Sequence, residues 1–168
     1  QLLNDDRCHL LTLVGPGGIG KTCLALETAT HMQEHFADGV YFVSCTSIDS
    51  PSKLVPLIAD ALGFAFPSAG ATDPKRQLLD YLQTKRLLLL LDNLEQLVAE
   101  PGILWLAEIL THAPEVKLLV TSRQALDLHA EWVYEVSGLP IPEGGSSELQ
   151  GTALELYLQR ARQAKARF

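Results

Sequence analysis

The sequence predicts an α/β fold, a mostly parallel five-stranded sheet with helices on both faces. Three observations predict it. Strand-like apolar runs alternate with segments of helical periodicity along most of the 168 residues, the pattern of a sheet wound with crossover helices. Two of those runs, RLLLLL at 86–91 and VKLLV at 116–120, lack polar alternation, as strands buried on both faces do. A glycine-rich stretch, VGPGGIGKT at 14–22, lies between the first strand-like run and the first helical one and fits G-x-x-x-x-G-K-[ST].

Residues 1–7 (QLLNDDR) read as a polar lead-in, and 8–14 (CHLLTLV) as the first strand. The helix after the loop covers CLALETATHM at 23–32 and should stop where HFADG supplies a break,. GVYFVSC at 39–45 is a second strand, rich in β-branched and aromatic residues,. Ser50-Pro51 places a capping side chain before a proline at the first helical position,. Leu54, Leu57, Ile58, Ala61 and Leu62 then mark an amphipathic helix over 51–62, with Pro56 expected to bend or interrupt it,. Residues 63–72 form a loop by composition, and Asp73-Pro74 repeats the capping signal before a helix whose apolar face is Leu78, Leu79 and Leu82,. The buried run at 86–91 ends in Asp92. A helical region follows over 95–111, broken by Pro101-Gly102, and then the strand at 116–120, which ends in Thr121-Ser122-Arg123. A short helix is expected over 124–129 and a fifth strand over 132–136 (WVYEV). The organisation expected is a nucleotide-binding domain at 1–137, a Pro/Gly/Ser-rich connector at 138–151, and a C-terminal helix at 152–168 opened by the capping box Thr152-x-x-Glu155,.

Each residue type in the loop has a physical task. Gly15, Gly17, Gly18 and Gly20 permit a tight turn whose N–H groups face inward and cradle a phosphate, with Pro16 and Ile19 completing the loop,. The helix that begins after Gly20, through Lys21, Thr22 and Cys23, adds its N-terminal partial charge to the same anion,. Lys21 is expected to reach the β- and γ-phosphates, and the Thr22 hydroxyl to ligate Mg²⁺. The plainer reading, a glycine-rich turn, does not account for the strand before and the helix after. A nucleotide with Mg²⁺ is therefore the expected ligand.

In a parallel sheet, ligands bind beyond the C-terminal strand ends. The loop, Asp92 and 121–123 all follow strand ends, so three clusters distant in sequence should meet at one rim. LLLLLD at 87–92 has the form of a strand that ends in a Mg²⁺-holding aspartate,. Asn93 follows, an amide that takes no proton at neutral pH,. Glu95 is the nearest carboxylate and has two readings: a base for the attacking water, or an exposed first-turn helix residue. Slow hydrolysis is the expectation. Arg123 is read as a sensor of the γ-phosphate, against the alternative of a surface arginine paired with a carboxylate,. Thr121 is a candidate to orient water. Trp105, Trp132 and Tyr134 are read as core.

Composition narrows the function. A net charge of −7 speaks against direct nucleic-acid binding by this segment,. Arg160, Arg162, Lys165 and Arg167 read as a solvated helix face,. Cys8, Cys23 and Cys45 lack metal-ligand spacing and suit a reduced compartment, with Cys8 and Cys45 as small buried hydrophobes in strands,. No signal peptide or membrane-length apolar run appears, so a cytoplasmic location without membrane contact is expected,. The chain lacks an initiator Met and reads as a piece of something longer. A small-molecule kinase on the same scaffold would want an arginine-rich lid, and Arg123 alone stands near the place for one. A nucleotide-free interaction fragment is opposed by Lys21, Thr22 and Asp92, and a GTPase by the absence of Asn-Lys-x-Asp.

The motifs in this order resemble the nucleotide-binding domain of the STAND class of signal-transduction P-loop ATPases. That class includes NB-ARC domains and large bacterial transcriptional regulators, and the bacterial branch is the better match. The residues that carry the likeness are LTLVGPGGIGKTCLALE at 11–27, DGVYFVSCTSI at 38–48, LLLLLDNLEQL at 87–97, LLVTSRQAL at 118–126, YEVSGLPIP at 134–142 and ALELYLQRAR at 153–162. The resemblance implies a P-loop NTPase three-layer sandwich and an ATP-driven switch, closed with ADP, opened by exchange for ATP and able to form an ATP-dependent homo-oligomer. It also implies effector and sensor domains elsewhere in a longer chain. The class's adenine-gripping upstream segment and its downstream helical and winged-helix domains are not in this sequence. Gly138-Leu139-Pro140 reads as connector and not as the Gly-Leu-Pro-Leu motif of the helical domain.

Overall fold

The computed structural model describes residues 2–48, 50–67, 73–98 and 101–138. Five strands form one sheet: β1 (Leu10–Val14), β2 (Val40–Ser44), β3 (Leu88–Asp92), β4 (Lys117–Ser122) and β5 (Glu131–Glu135). Their spatial order is β2-β3-β4-β1-β5, and every neighbouring pair is parallel. The expected sheet is thus present, and it is parallel throughout. Successive side chains point to opposite faces, and the apolar run of β3 exploits this. Leu89 and Leu91 join one core with Leu118, Val120 and Val43, while Leu88 and Leu90 join a second with Leu11, Leu13 and Leu119.

The first face is covered by α2 (Leu54–Ala61), α3 (Pro74–Leu82) and α4 (Leu104–His112), through Ile58, Leu78, Leu82, Leu106 and Ile109. The second is covered by α1 (Lys21–Met32), through Ala25, Ala29 and Met32. Helices on both faces make the three layers. The lead-in is less polar in effect than its composition suggests. Leu2–Asn4 forms a 3-10 turn that buries Leu3 in the α1-side core. Lys117 Nζ pins the turn by donating to the carbonyls of Leu3 and Asp5 at 2.8 and 2.9 Å.

The capping signals act as expected. Ser50 Oγ accepts from the Ser52 N–H at 3.4 Å, and Asp73 Oδ1 from the Lys75 N–H at 3.2 Å. Pro56 does not break its helix. A 3-10 turn at Pro51–Lys53 leads into α2, and Pro56 is the third residue of α2, within the first turn, where a missing N–H removes no helical bond. The 95–111 region resolves into 3-10 turns at Leu94–Gln96 and Pro101–Ile103, followed by α4.

The helix expected over 124–129 is absent. Asp127 sits at φ 58°, in the left-handed region that ends helices. The Leu126 N–H is held by the Glu131 carboxylate at 2.9 and 3.0 Å. Leu126 and Leu128, two residues apart, both enter the core, a spacing of extended chain. Trp105 is core, and Trp132 is partly buried against α1's side. Tyr134 is 47% exposed because β5 is an edge strand. Cys8 and Cys45 are fully buried, as small hydrophobes, just outside the strands rather than within them. The expected connector beyond residue 138 and the C-terminal helix at 152–168, with its basic face, lie outside the described residues.

Candidate functional site

The loop between β1 and α1 runs at the C-terminal edge of the sheet, flanked by the ends of β4 and β5, with the end of β3 next beyond β4. Gly18 and Gly20 take φ 79° and 102°, values open to glycine at little cost. Gly15 is needed for a different reason. A Cβ there would stand 2.9 Å from the Val136 carbonyl oxygen, which lies just past β5. Gly20 caps α1, and the first helical bond runs from Leu24 N–H to Gly20 O at 2.9 Å. The N–H groups of Lys21, Thr22 and Cys23 precede it and have no intrahelical acceptor. Lys21 Nζ folds back over the loop, donating to Gly15 O at 2.7 Å and Pro16 O at 2.9 Å.

Strand parity brings the next residues together. Asp92 shares a face with Leu88 and Leu90, the face on which α1 packs, and Thr121 shares it with Leu119. The Thr22 hydroxyl, in the first turn of α1, donates to Asp92 Oδ1 at 2.7 Å. The Thr121 hydroxyl donates to the same oxygen at 2.6 Å and accepts the Asn93 N–H at 2.9 Å. Thr121 is 1% exposed and Asp92 8%. With its hydroxyl donating to Asp92 and accepting from Asn93, Thr121 holds both in place. Behind Asp92, the Cys45 N–H donates to its carbonyl at 2.8 Å. Burial, with a smaller contribution from the Asp92 charge, pushes the Cys45 thiol up to about 12, so this sulfur stays protonated.

Glu95 and Arg123 are brought together. Arg123 Nε lies 2.9 Å from Glu95 Oε1, with side chains 68% and 16% exposed. Glu95 is therefore not an exposed first-turn residue, and Arg123 stands in this structure as the surface arginine paired with a carboxylate, the alternative to the sensor reading. Asn93, at φ 64°, turns its amide toward the same carboxylate. In the orientation that satisfies the hydrogen bonds, its nitrogen donates to Glu95 Oε1 and Oε2 at 2.9 and 3.1 Å. Sequence reasoning missed both this use of Asn93 and the clamp formed by Thr121. The available signal was Asn itself, which tolerates the left-handed region better than most residues. Arg123 also borders the loop, with a guanidinium nitrogen 3.9 Å from where a Cβ added to Gly17 would stand.

These groups fit a nucleotide and a divalent cation. The loop offers open N–H groups and a lysine now resting on carbonyl oxygens, a stand-in for phosphate oxygens. Thr22 and Asp92 offer oxygen ligands only, the set that suits Mg²⁺, which binds through one or two protein oxygens plus phosphate and water. Among the described residues, no cluster of three or more His, Cys, Asp or Glu side chains is arranged to hold a metal, and no helix is long and apolar enough to cross a membrane.

Comparison with known proteins agrees with this fold. The NACHT domain family matches residues 9–139. A Mycobacterium bovis protein named "Putative HTH-type transcriptional regulator Mb0914c" is 30% identical over 160 residues, which are 95% of this chain and 17% of that protein. An uncharacterized protein of Mycobacterium tuberculosis strain H37Rv is 29% identical over 169 residues, 100% of this chain and 39% of that protein. The chain thus spans less than two fifths of the length of these relatives. Among solved structures, Cdc6p from Pyrobaculum aerophilum superposes with a TM-score of 0.61 at 20% identity, over 81% of this chain and 42% of that one. Drosophila ORC bound to DNA gives 0.60 at 15% identity, over 80% and 40%. At those identities the two speak for the fold alone, that of P-loop NTPases. The family match runs from the residue before β1 to beyond β5, and the likeness to the STAND class holds with NACHT as the member matched: this chain belongs to the NACHT domain family of P-loop NTPases.

Proposed function

We propose that this domain binds ATP and ADP with Mg²⁺ and acts as the slow ATPase switch of a longer, cytoplasmic signalling or transcription-regulating protein. The observation that carries the reading is the Thr22–Asp92 contact at 2.7 Å beside Lys21. Residues 70 positions apart meet where a P-loop NTPase needs both,. The names of the mycobacterial relatives support the regulatory setting. Assembly into an ATP-dependent homo-oligomer belongs to the same reading.

In this mechanism the loop from Gly15 to Gly20 and the first N–H groups of α1 hold the phosphates, and Lys21 exchanges its carbonyl partners for β- and γ-oxygens,. Thr22 and Asp92 would hold Mg²⁺, which would supply charge neutralisation for the phosphates. Glu95 takes a proton from the water that attacks the γ-phosphorus. The bond to the β–γ bridging oxygen breaks, leaving ADP and phosphate. Glu95 stands three residues past Asp92 and is occupied by Arg123 and Asn93, which favours a slow step. Arg123 contacts the γ-phosphate.

Calorimetric titration of ATP and ADP, each with Mg²⁺, with phosphate release followed in parallel, tests the reading. Binding with turnover slower than about one per minute, far below typical enzyme rates, is expected. Lys21→Ala should abolish phosphate-dependent binding, and unchanged affinity would refute the loop assignment. Glu95→Gln should slow hydrolysis, and an unchanged rate would remove Glu95 as the base.

A further inference from the structure

We infer that Glu95 sets the site's preference between nucleoside triphosphate and diphosphate by competing for Arg123. The inference rests on the nucleotide reading above and assigns Glu95 a role separate from proton transfer. Glu95 is the fixed member of the pair. Its side chain is 16% exposed, and both of its oxygens accept from the Asn93 amide. Asn93 is itself anchored, since its N–H donates to the buried Thr121 hydroxyl at 2.9 Å. Arg123 is the movable member, 68% exposed at the end of β4 and bound to Glu95 through Nε at 2.9 Å. Another of its nitrogens lies 3.9 Å from where a Cβ added to Gly17 in the loop would stand. One guanidinium therefore stands between a fixed carboxylate and the rim of the phosphate cradle.

A guanidinium that pairs with carboxylate through one edge takes phosphate by the same fork. A third phosphate adds charge on Arg123's side of the loop, and Arg123 engages it at the expense of Glu95. Two phosphates held by the loop N–H groups and Lys21 leave the pair intact. The competition lowers affinity for triphosphate and leaves affinity for diphosphate unchanged. Arg123 thereby carries information about the third phosphate to the segment after β3.

The test is a double-mutant cycle on binding in the full-length protein. Dissociation constants are measured for Mg-ADP and for the non-hydrolysable Mg-AMPPNP, in wild type, Glu95→Gln, Arg123→Ala and the double variant, with melting curves as the folding control. Glu95→Gln should tighten AMPPNP relative to ADP by about two- to fivefold, the size of a partly exposed ion pair. In the Arg123→Ala background that gain should vanish. A ratio unaffected by Glu95→Gln, or a shift that persists without Arg123, overturns the competition and leaves the nucleotide reading standing. If wild type binds neither nucleotide, the nucleotide reading falls and this inference with it. Hydrolysis rates play no part in the measurement, so the base role of Glu95 is judged separately.

Discussion

Thr121→Val is the substitution that best separates a structural clamp from a bystander hydroxyl. Valine keeps the shape of threonine and the β-branching that suits β4. It removes one donor to Asp92 Oδ1, at 2.6 Å, and the acceptor for the Asn93 N–H, at 2.9 Å, at a position 1% exposed. A hydrogen bond to a charged group contributes about 1.5–3 kcal/mol, and a buried donor left unsatisfied costs about 1–3 kcal/mol. The Thr22 hydroxyl still donates to the same Asp92 oxygen at 2.7 Å, so the carboxylate is not stranded and the two costs do not simply add. The expected loss is about 2–4 kcal/mol. Urea unfolding without nucleotide should show a lower midpoint at unchanged slope. Thr121→Ser, which keeps the hydroxyl, should lose no more than about 1 kcal/mol, for its methyl group. Combined with Thr22→Val, Thr121→Val should cost more than the sum of the single changes, because Asp92 then loses both donors. A Thr121→Val protein within about 0.5 kcal/mol of wild type, or one no worse than Thr121→Ser, would refute the clamp.

Two further substitutions test parts of the fold that do not touch nucleotide. Thr12, fully buried in β1, has a hydroxyl without a hydrogen-bond partner among the described residues. Thr12→Val should be neutral or stabilise by about 1 kcal/mol in the same urea assay, and a clear loss would show that the hydroxyl is in use. The Arg86 N–H at 2.8 Å, and after it the Lys85 ammonium at 3.0 Å, hold the Asp38 carboxyl below its ordinary 3.8. A depressed folded-state value stabilises above the unfolded value and is lost as pH falls through the folded one. Asp38→Asn should therefore be less stable than wild type near neutrality, with a gap that closes as pH drops below the ordinary carboxylate range. A gap constant from about pH 6 to pH 3 would contradict the assignment.

The features legible in the sequence were those that local chemistry decides. Ser50-Pro51 and Asp73-Pro74 cap their helices because the cap bond spans two residues. The run ending in Asp92 reads as a central strand because both its faces are buried. The features that failed depend on partners distant in sequence or on one backbone angle. The 124–129 segment has helical composition, but Glu131 takes the Leu126 N–H and Asp127 turns left-handed. The sequence shows Thr121 only as a polar residue at a strand end. Its actual partners follow from the register of β4 against β3, which pairs Leu91 with Val120 and so sets Thr121 beside Asp92. In the sequence Asn93 shows only an amide that takes no proton, whereas its left-handed backbone and its amide contacts are what shape the site.

The charge balance at the rim bears on how such a site can switch at all. Lys21 and Arg123 supply two positive charges, and Asp92 and Glu95 two negative ones. The cluster is thus close to neutral within a chain of net charge −7, and bulk electrostatics gives a polyphosphate little attraction. The loop and α1 N–H groups remain, together with cations that are already bonded. Lys21 rests on Gly15 and Pro16 oxygens, and Arg123 on Glu95. On the proposed reading each cation trades one oxygen partner for another when nucleotide binds. The binding free energy is then a difference between two bonded states, smaller than either bond alone. A difference of that kind is easily tipped by one phosphate more or less, as a switch requires. It also means that Asp92, 8% exposed and buried against Thr22 and Thr121, needs a cation's charge beside it before phosphates can approach. Removal of Mg²⁺ should accordingly weaken triphosphate binding more than diphosphate binding.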